Sequence, residues 1–189
     1  AEFTLGLILS LAKKLPQSRD GLRKEGWSIR PQITTFDLEG KTLGALGMGR
    51  IGTAVARKAS YGFGMKVLGY RRNLPGDICA DYGILTSDLD KVIRNSDFLS
   101  IHLPYTKDTF HLVSCEKLEL MKPDAYLLNL GRGEVVDQAA LRELLLSNRL
   151  AGAALDVFEG EIPDADDPLL HMDQVIATPH IAGLSKQAM

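Results

Sequence analysis

Three polar residues in the second half of the chain, Arg132, Glu161 and His180, have side chains that together could reduce a carbonyl group. Arg132 lies in Asn129-Leu130-Gly131-Arg132-Gly133, a glycine-flanked turn after an apolar run, where a guanidinium can clamp a carboxylate through two parallel hydrogen bonds. His180 closes Ala177-Thr178-Pro179-His180, directly after another apolar run. An imidazole titrates near neutrality, so it can deliver a proton to a carbonyl oxygen while hydride reaches the carbon. A carboxylate such as Glu161 can orient that ring and hold its protonated form. Taken singly, each residue reads as an ordinary surface or helix-capping group; their joint placement at strand ends points to chemistry.

A second cluster concerns phosphate. Gly47-Met48-Gly49-Arg50-Ile51-Gly52 follows an apolar strand candidate and opens a helix candidate, the context that gives this glycine spacing its meaning. Gly47 would permit the tight turn, Gly49 the approach of a pyrophosphate to the backbone, and Gly52 close packing of helix on strand. Amides around Arg50 and Ile51, at the helix N-terminus, would face the negative charge. About twenty residues on, where an acidic side chain usually meets the ribose 2'-hydroxyl of NAD, the chain reads Gly69-Tyr70-Arg71-Arg72-Asn73. Arg71 and Arg72 can bond a 2'-phosphate, so we expect NADP(H) to be preferred, with NAD(H) possible. The alternative is that both arginines are a solvated strand end indifferent to the phosphate.

These residues need a scaffold, and the pattern from Lys41 onward supplies one. Short apolar runs at 42–46, 66–70, 98–103, 126–130, 153–157 and 175–177 alternate with helix candidates at 51–60, 88–94, 116–121 and 138–147. Ser87, Ser114 and Asp137 are placed to cap three of the helices. Such alternation predicts an α/β fold with a doubly wound parallel sheet covered on both faces, of the Rossmann type. The expected layout is one dinucleotide-binding domain over 1–189: a leading interdomain helix over 1–16, ended by Pro16, and a core over 41–189. Between them, 17–31 reads as a polar connector carrying Trp27 as a packing anchor. The opening at Ala1, inside an apolar helical pattern, suggests that a segment upstream is missing.

Composition narrows the classes. The 189 residues suit one domain, 45% are apolar, and a formal charge of -2 argues against a nucleic-acid partner. The longest apolar stretch, 4–12, is too short to span a bilayer, so no membrane partner is expected. Cys79 and Cys115 stand apart without metal-ligand spacing, which suits reduced thiols in a cytoplasmic protein. Asp164, Asp166 and Asp167 read as a solvated acidic loop, and no metal is assigned. His111 and His171 read as exposed loop or helix-end residues, and His102 as the lining of a strand end.

Four blocks carry a resemblance to the D-isomer-specific 2-hydroxyacid dehydrogenases over essentially the whole chain. They are residues 44–52 around the glycine turn; His102-Leu103-Pro104 with Thr109; residues 129–137 around Arg132; and residues 151–161, completed by Thr178-Pro179-His180. The resemblance implies that Arg132 binds a 2-oxo acid, that His180 is the acid/base and that Glu161 is its partner. It further implies that Leu103 lines the adenosine side, that Leu130, Gly131 and Arg132 run along the nicotinamide, and that Asp156 meets the carboxamide, with His180 to Gly183 beside it. Glyoxylate and hydroxypyruvate reductases are the nearest pattern, because Arg71 stands where other members place an acid. The chain departs from the family at Gly131, usually Ala, and at Ile162, which intervenes before Pro163.

The family's substrate domain is largely absent from these residues, so the chain alone is expected to bind cofactor and turn over negligibly. A homodimer burying the apolar opening helix is expected from the same resemblance. Two other readings share the cofactor blocks: a non-catalytic nucleotide-sensing protein of the corepressor kind, and a phosphite or formate dehydrogenase. Steady-state assay of the full-length enzyme against a panel of 2-oxo acids separates catalysis from sensing, and the substrate-domain segment would decide the phosphite or formate reading.

Overall fold

A computed structural model describes residues 1–71 and 84–186. Helices α1 (Glu2–Ala12) and α2 (Leu15–Glu25) and a 3-10 turn (Gly26–Gln32) lead into β1 (Thr42–Leu46), α3 (Arg50–Phe63) and β2 (Lys66–Tyr70). Then come β3 (Leu85–Thr86), α4 (Leu89–Asn95), β4 (Phe98–Ile101), α5 (Cys115–Leu118), β5 (Tyr126–Asn129), α6 (Gln138–Leu146), β6 (Gly152–Leu155) and β7 (Val175–Ala177). The strands form one sheet in the order β3-β2-β1-β4-β5-β6-β7, and every pairing is parallel. Chain order reverses between β1 and β4, the crevice where open sheets of this kind bind ligands.

Alternation within the strands divides the core into two layers. Leu43, Ala45, Phe98, Leu128 and Ala154 face α1 and α3, whereas Leu46, Leu99, Leu127, Ala153 and Leu155 face α4, α5 and α6. Both faces of the sheet are thus covered, which is why its central strands are buried throughout and read as unbroken apolar runs.

Several expectations need correction. The stretch 17–31 is α2 and the 3-10 turn, not a connector. Pro16 sits in the first turn of α2, where its missing N–H has no intrahelical partner to lose, and the break between α1 and α2 falls at Lys14, in left-handed backbone. Trp27 is no buried packing anchor among the described residues, since it is 76% exposed. The opening helix packs against its own domain, with Ile8, Leu11 and Ala12 in the core beside α3 residues and Phe3 and Leu9 partly buried. Helix α4 is capped by Asp88, whose carboxylate accepts from the Lys91 N–H at 2.9 Å, rather than by Ser87. Ser114 occupies the N-cap position of α5 without a side-chain cap bond, while Asp137 caps α6 by accepting from the Ala140 N–H. Strands β4, β5 and β6 end one to two residues before the apolar runs do, and those last residues enter the loops that follow.

The acidic loop also differs from its reading: Asp167 is buried, caps a 3-10 turn at Leu169 and accepts from Gln138 and Arg142. His111 is half-buried and paired rather than exposed. Arg72 and Cys79 lie outside the described residues.

Candidate active site

Because the sheet is parallel, the loops after β1, β2, β4, β5, β6 and β7 emerge on one rim, and every candidate residue within the described part lies on them or at the start of α3. The first is the glycine turn. Gly47 has φ +100°, and a Cβ there would meet the His102 carbonyl oxygen at 2.8 Å. A Cβ at Gly52 would come within 2.2 Å of the Gly47 oxygen, so α3 can close on β1 only with glycine there. At Gly49, by contrast, a Cβ would meet nothing within 4 Å: that position opens outward, at the N-cap of α3. Arg50 and Ile51, the first residues of α3, are exposed beside it.

Beyond the turn, Arg50, Thr53, Arg57 and Arg71 line a cavity of about 550 Å3, and no carboxylate lines it among the described residues. Arg57 escaped the sequence reading. Its signal was available, since Arg50, Ala54 and Arg57 recur at the i, i+4, i+7 spacing of one helix face.

Beneath the turn, His102 follows β4 and is partly buried, its Nε2 3.0 Å from the Ser100 hydroxyl; desolvation of the ring pushes its pKa down to about 4. Thr109 holds the next loop together, its hydroxyl donating to the Pro104 carbonyl at 2.7 Å and accepting from the Thr106 N–H at 2.7 Å. Leu103 packs under the following loop, where a Cβ at Gly131 would lie 2.6 Å from the Leu103 oxygen.

Arg132 is held by a small backbone network. The Asn129 carboxamide accepts from the Gly131 N–H at 3.1 Å and donates to the Arg132 carbonyl at 3.0 Å, keeping Arg132 extended and exposed. Its Nη1 donates to the Gly131 carbonyl at 2.8 Å. Leu130, just before, is partly buried against the α1 side of the core.

Asp156 is fully buried at the end of β6. Its Oδ1 accepts from the Thr178 hydroxyl at 2.6 Å and the Ile181 N–H at 2.9 Å, and its Oδ2 accepts from the Ala182 N–H at 2.8 Å. These bonds tie the β7 loop, which carries His180 and continues to the exposed Gly183, onto β6.

Glu161 and His180 line one cavity of about 510 Å3, with apolar walls from Phe158, Ile162, Leu170 and Pro179. Both residues adopt left-handed backbone, at φ 67° and 54°. For non-glycine residues that conformation costs about 1–2 kcal/mol and recurs where geometry is held for function. The two side chains share the cavity without a hydrogen bond between them, and Arg132 does not line it but stands on the neighbouring β5 loop. The site therefore gathers a carboxylate and an imidazole in one apolar pocket, a guanidinium one strand away, and a glycine-lined turn beyond.

The chain matches, over residues 5–182, the model of the D-isomer specific 2-hydroxyacid dehydrogenase, NAD binding domain. It is 39% identical to a D-3-phosphoglycerate dehydrogenase of Methanocaldococcus jannaschii, over 100% of this chain and 36% of that protein. It is 40% identical to a glyoxylate reductase of Korarchaeum cryptofilum, over 99% of this chain and 57% of that protein. Among solved structures, the D-lactate dehydrogenase from Aquifex aeolicus, complexed with NAD and lactic acid, superposes with a TM-score of 0.90 at 37% identity, over 99% of this chain and 60% of that one. The chain thus spans between about a third and three fifths of the relatives it matches. With residues 5–182 matched, the chain belongs to the D-isomer-specific 2-hydroxyacid dehydrogenase family, as its NAD binding domain.

Proposed function

We propose that the whole protein is an NADPH-preferring reductase of small 2-oxo acids, of the glyoxylate and hydroxypyruvate kind, with Arg132, Glu161 and His180 as its catalytic residues. The observation that carries this reading is the meeting of Glu161 and His180 in one apolar cavity on the rim that also bears Arg132. The turn fits a dinucleotide: Gly47 bends it, and the open space at Gly49 leaves room for a pyrophosphate against the α3 N-terminus beside Arg50, Ile51 and Gly52.

When bound, the reduced nicotinamide supplies hydride to C2 of the substrate. Arg132 holds the substrate carboxylate through paired N–H bonds. His180 gives its proton to the C2 oxygen as charge develops there, and Glu161 steadies the imidazolium beforehand. Phe158 and Leu170 give the pair an apolar flank, and covering this exposed rim in the whole protein would strengthen each of these interactions. Leu130 and Gly131 would line the nicotinamide side and Leu103 the adenosine side, while Asp156, through the loop it holds, would set the carboxamide edge next to His180 and Gly183.

Arg50, Arg57 and Arg71 around one cavity support a preference for the 2'-phosphate, because guanidiniums can make charge-assisted bonds to a phosphate that a bare hydroxyl does not match. Arg72, the next residue in the sequence, belongs to the same expected preference on its type alone. A homodimer is also proposed, supported by the exposed Leu22 and Trp27 of α2 and the turn after it, and a cytoplasmic setting is supported by the exposed free thiol of Cys115.

The test is steady-state assay of the full-length protein with glyoxylate and hydroxypyruvate. Turnover that falls about 10²–10⁴-fold in His180→Gln supports the reading. Dinucleotide binding without turnover of any 2-oxo acid in a panel overturns it.

A further inference from the structure

We propose that His111 and Glu159 form a clasp that positions Glu161 relative to the Arg132 loop. The inference rests on the catalytic reading of Glu161 given above. His111 belongs to the loop after β4 and Glu159 to the loop after β6, yet His111 Nε2 donates to Glu159 Oε1 at 2.9 Å. Between those strands lies β5, so the contact closes over the loop that carries Arg132.

Each partner is fixed on its own side. The His111 ring stacks on Phe110 with centroids 4.0 Å apart, and its backbone, at φ 45°, donates to the Glu134 carbonyl at 2.8 Å. Val113 continues the attachment by donating to Val135 and accepting from Asp137. On the other side the Glu159 N–H donates to Gln138 Oε1 at 2.9 Å. A Cβ at Gly133 would lie 1.9 Å from the Phe158 oxygen, so the β6 loop rests directly on the residue after Arg132.

Past Glu159 only Gly160 intervenes before Glu161. Gly160 has φ +81°, and the Glu161 N–H turns back to the Phe158 carbonyl at 3.2 Å. The direction of the Glu161 carboxylate is therefore inherited from Glu159 with one glycine of slack. As an ion pair the contact is about a third exposed on each side and stabilises the fold little. Its effect is on geometry, which separates a positioning role from a structural one.

The experiment uses the full-length enzyme with His111→Asn, Glu159→Ala, Glu159→Gln, Glu161→Gln and the double variant H111N/E161Q. Asparagine tolerates left-handed backbone but is too short to reach Glu159. H111N and E159A should each lower kcat about tenfold, short of the ~100-fold that a full ångström of displacement produces. Melting temperature and dinucleotide affinity should hold, and E159Q, which still accepts from His111, should restore most of kcat. In the E161Q background H111N should cost no more than about twofold, because its effect runs through Glu161. Full kcat in both H111N and E159A, or an undiminished tenfold loss of H111N on top of E161Q, overturns the clasp. Full kcat in E161Q itself would instead remove the catalytic reading of Glu161, and the clasp's function with it.

Discussion

The hydroxyl of Thr178 donates to the buried Asp156 carboxylate at 2.6 Å, locking the residue two positions before His180 to the end of β6. With the Ile181 and Ala182 N–H groups on the same carboxylate, the imidazole-bearing loop is held on both sides of His180. Asp156→Asn presents an amide N–H to one of these donors, and a buried donor left unmet costs about 1–3 kcal/mol. The melting temperature should fall by about 2–4 °C for each kcal/mol. Thermal unfolding and steady-state assay of the whole enzyme should show both this loss and a drop in kcat; an unchanged kcat would detach Asp156 from His180.

Two glycines of the turn should separate folding from binding. Gly52→Ala forces a methyl against the Gly47 backbone oxygen and should destabilise by about 1–3 kcal/mol. Gly49→Ala meets nothing in the protein and should change stability by no more than about 1 kcal/mol, the scale of an N-cap substitution. Its methyl would stand where a pyrophosphate approaches. Titration with NADPH should therefore show affinity lost in a folded Gly49→Ala protein, and undiminished affinity would move the phosphate site elsewhere.

Cofactor choice should hinge on Arg71. A charge-assisted bond contributes about 1.5–3 kcal/mol, so Arg71→Ala should lower kcat/KM for NADPH by roughly ten- to a hundredfold while leaving the NADH value nearly unchanged. Equal losses with both cofactors would show that Arg71 serves the shared part of the dinucleotide.

His102 should set an acid limit on stability. Its folded pKa of about 4 lies below the usual histidine value near 6.5, because burial disfavours the imidazolium. The neutral ring's contribution is present above about pH 6.5 and is lost as pH falls toward 4, where the unfolded chain takes up the proton first. Urea midpoints between pH 7 and pH 4.5 should drop more steeply for the native chain than for His102→Gln. Parallel slopes would assign the acid lability to other groups.

Much of this was legible in the residues. The core strands are buried on both faces, so their apolar runs could be placed within one or two residues, and the glycine turn carried its own geometry. What escaped depended on contacts distant in sequence. Nothing near His111 signals a partner 48 positions away, and nothing near Thr178 announces Asp156. Helix α2 was hidden by Pro16, which ends a helix in its interior but begins one in its first turn. Trp27 misled because a large aromatic ring is usually covered, whereas this one stands outside the domain's own core. Arg57 was missed because a lone arginine on an amphipathic helix resembles any solvated side chain until the facing strand end is known.

An all-parallel sheet also has an idle side. Lys66 opens β2, and the Asp97–Lys122 ion pair precedes β4 and β5, all on the edge opposite the glycine turn. Tethering the domain to a solid support or a fluorescent reporter through Lys66, which is exposed, would leave the ligand-facing edge pointing into solution. The strand polarity thus makes the domain two-ended, with the candidate site gathered at one end and Lys66 at the other.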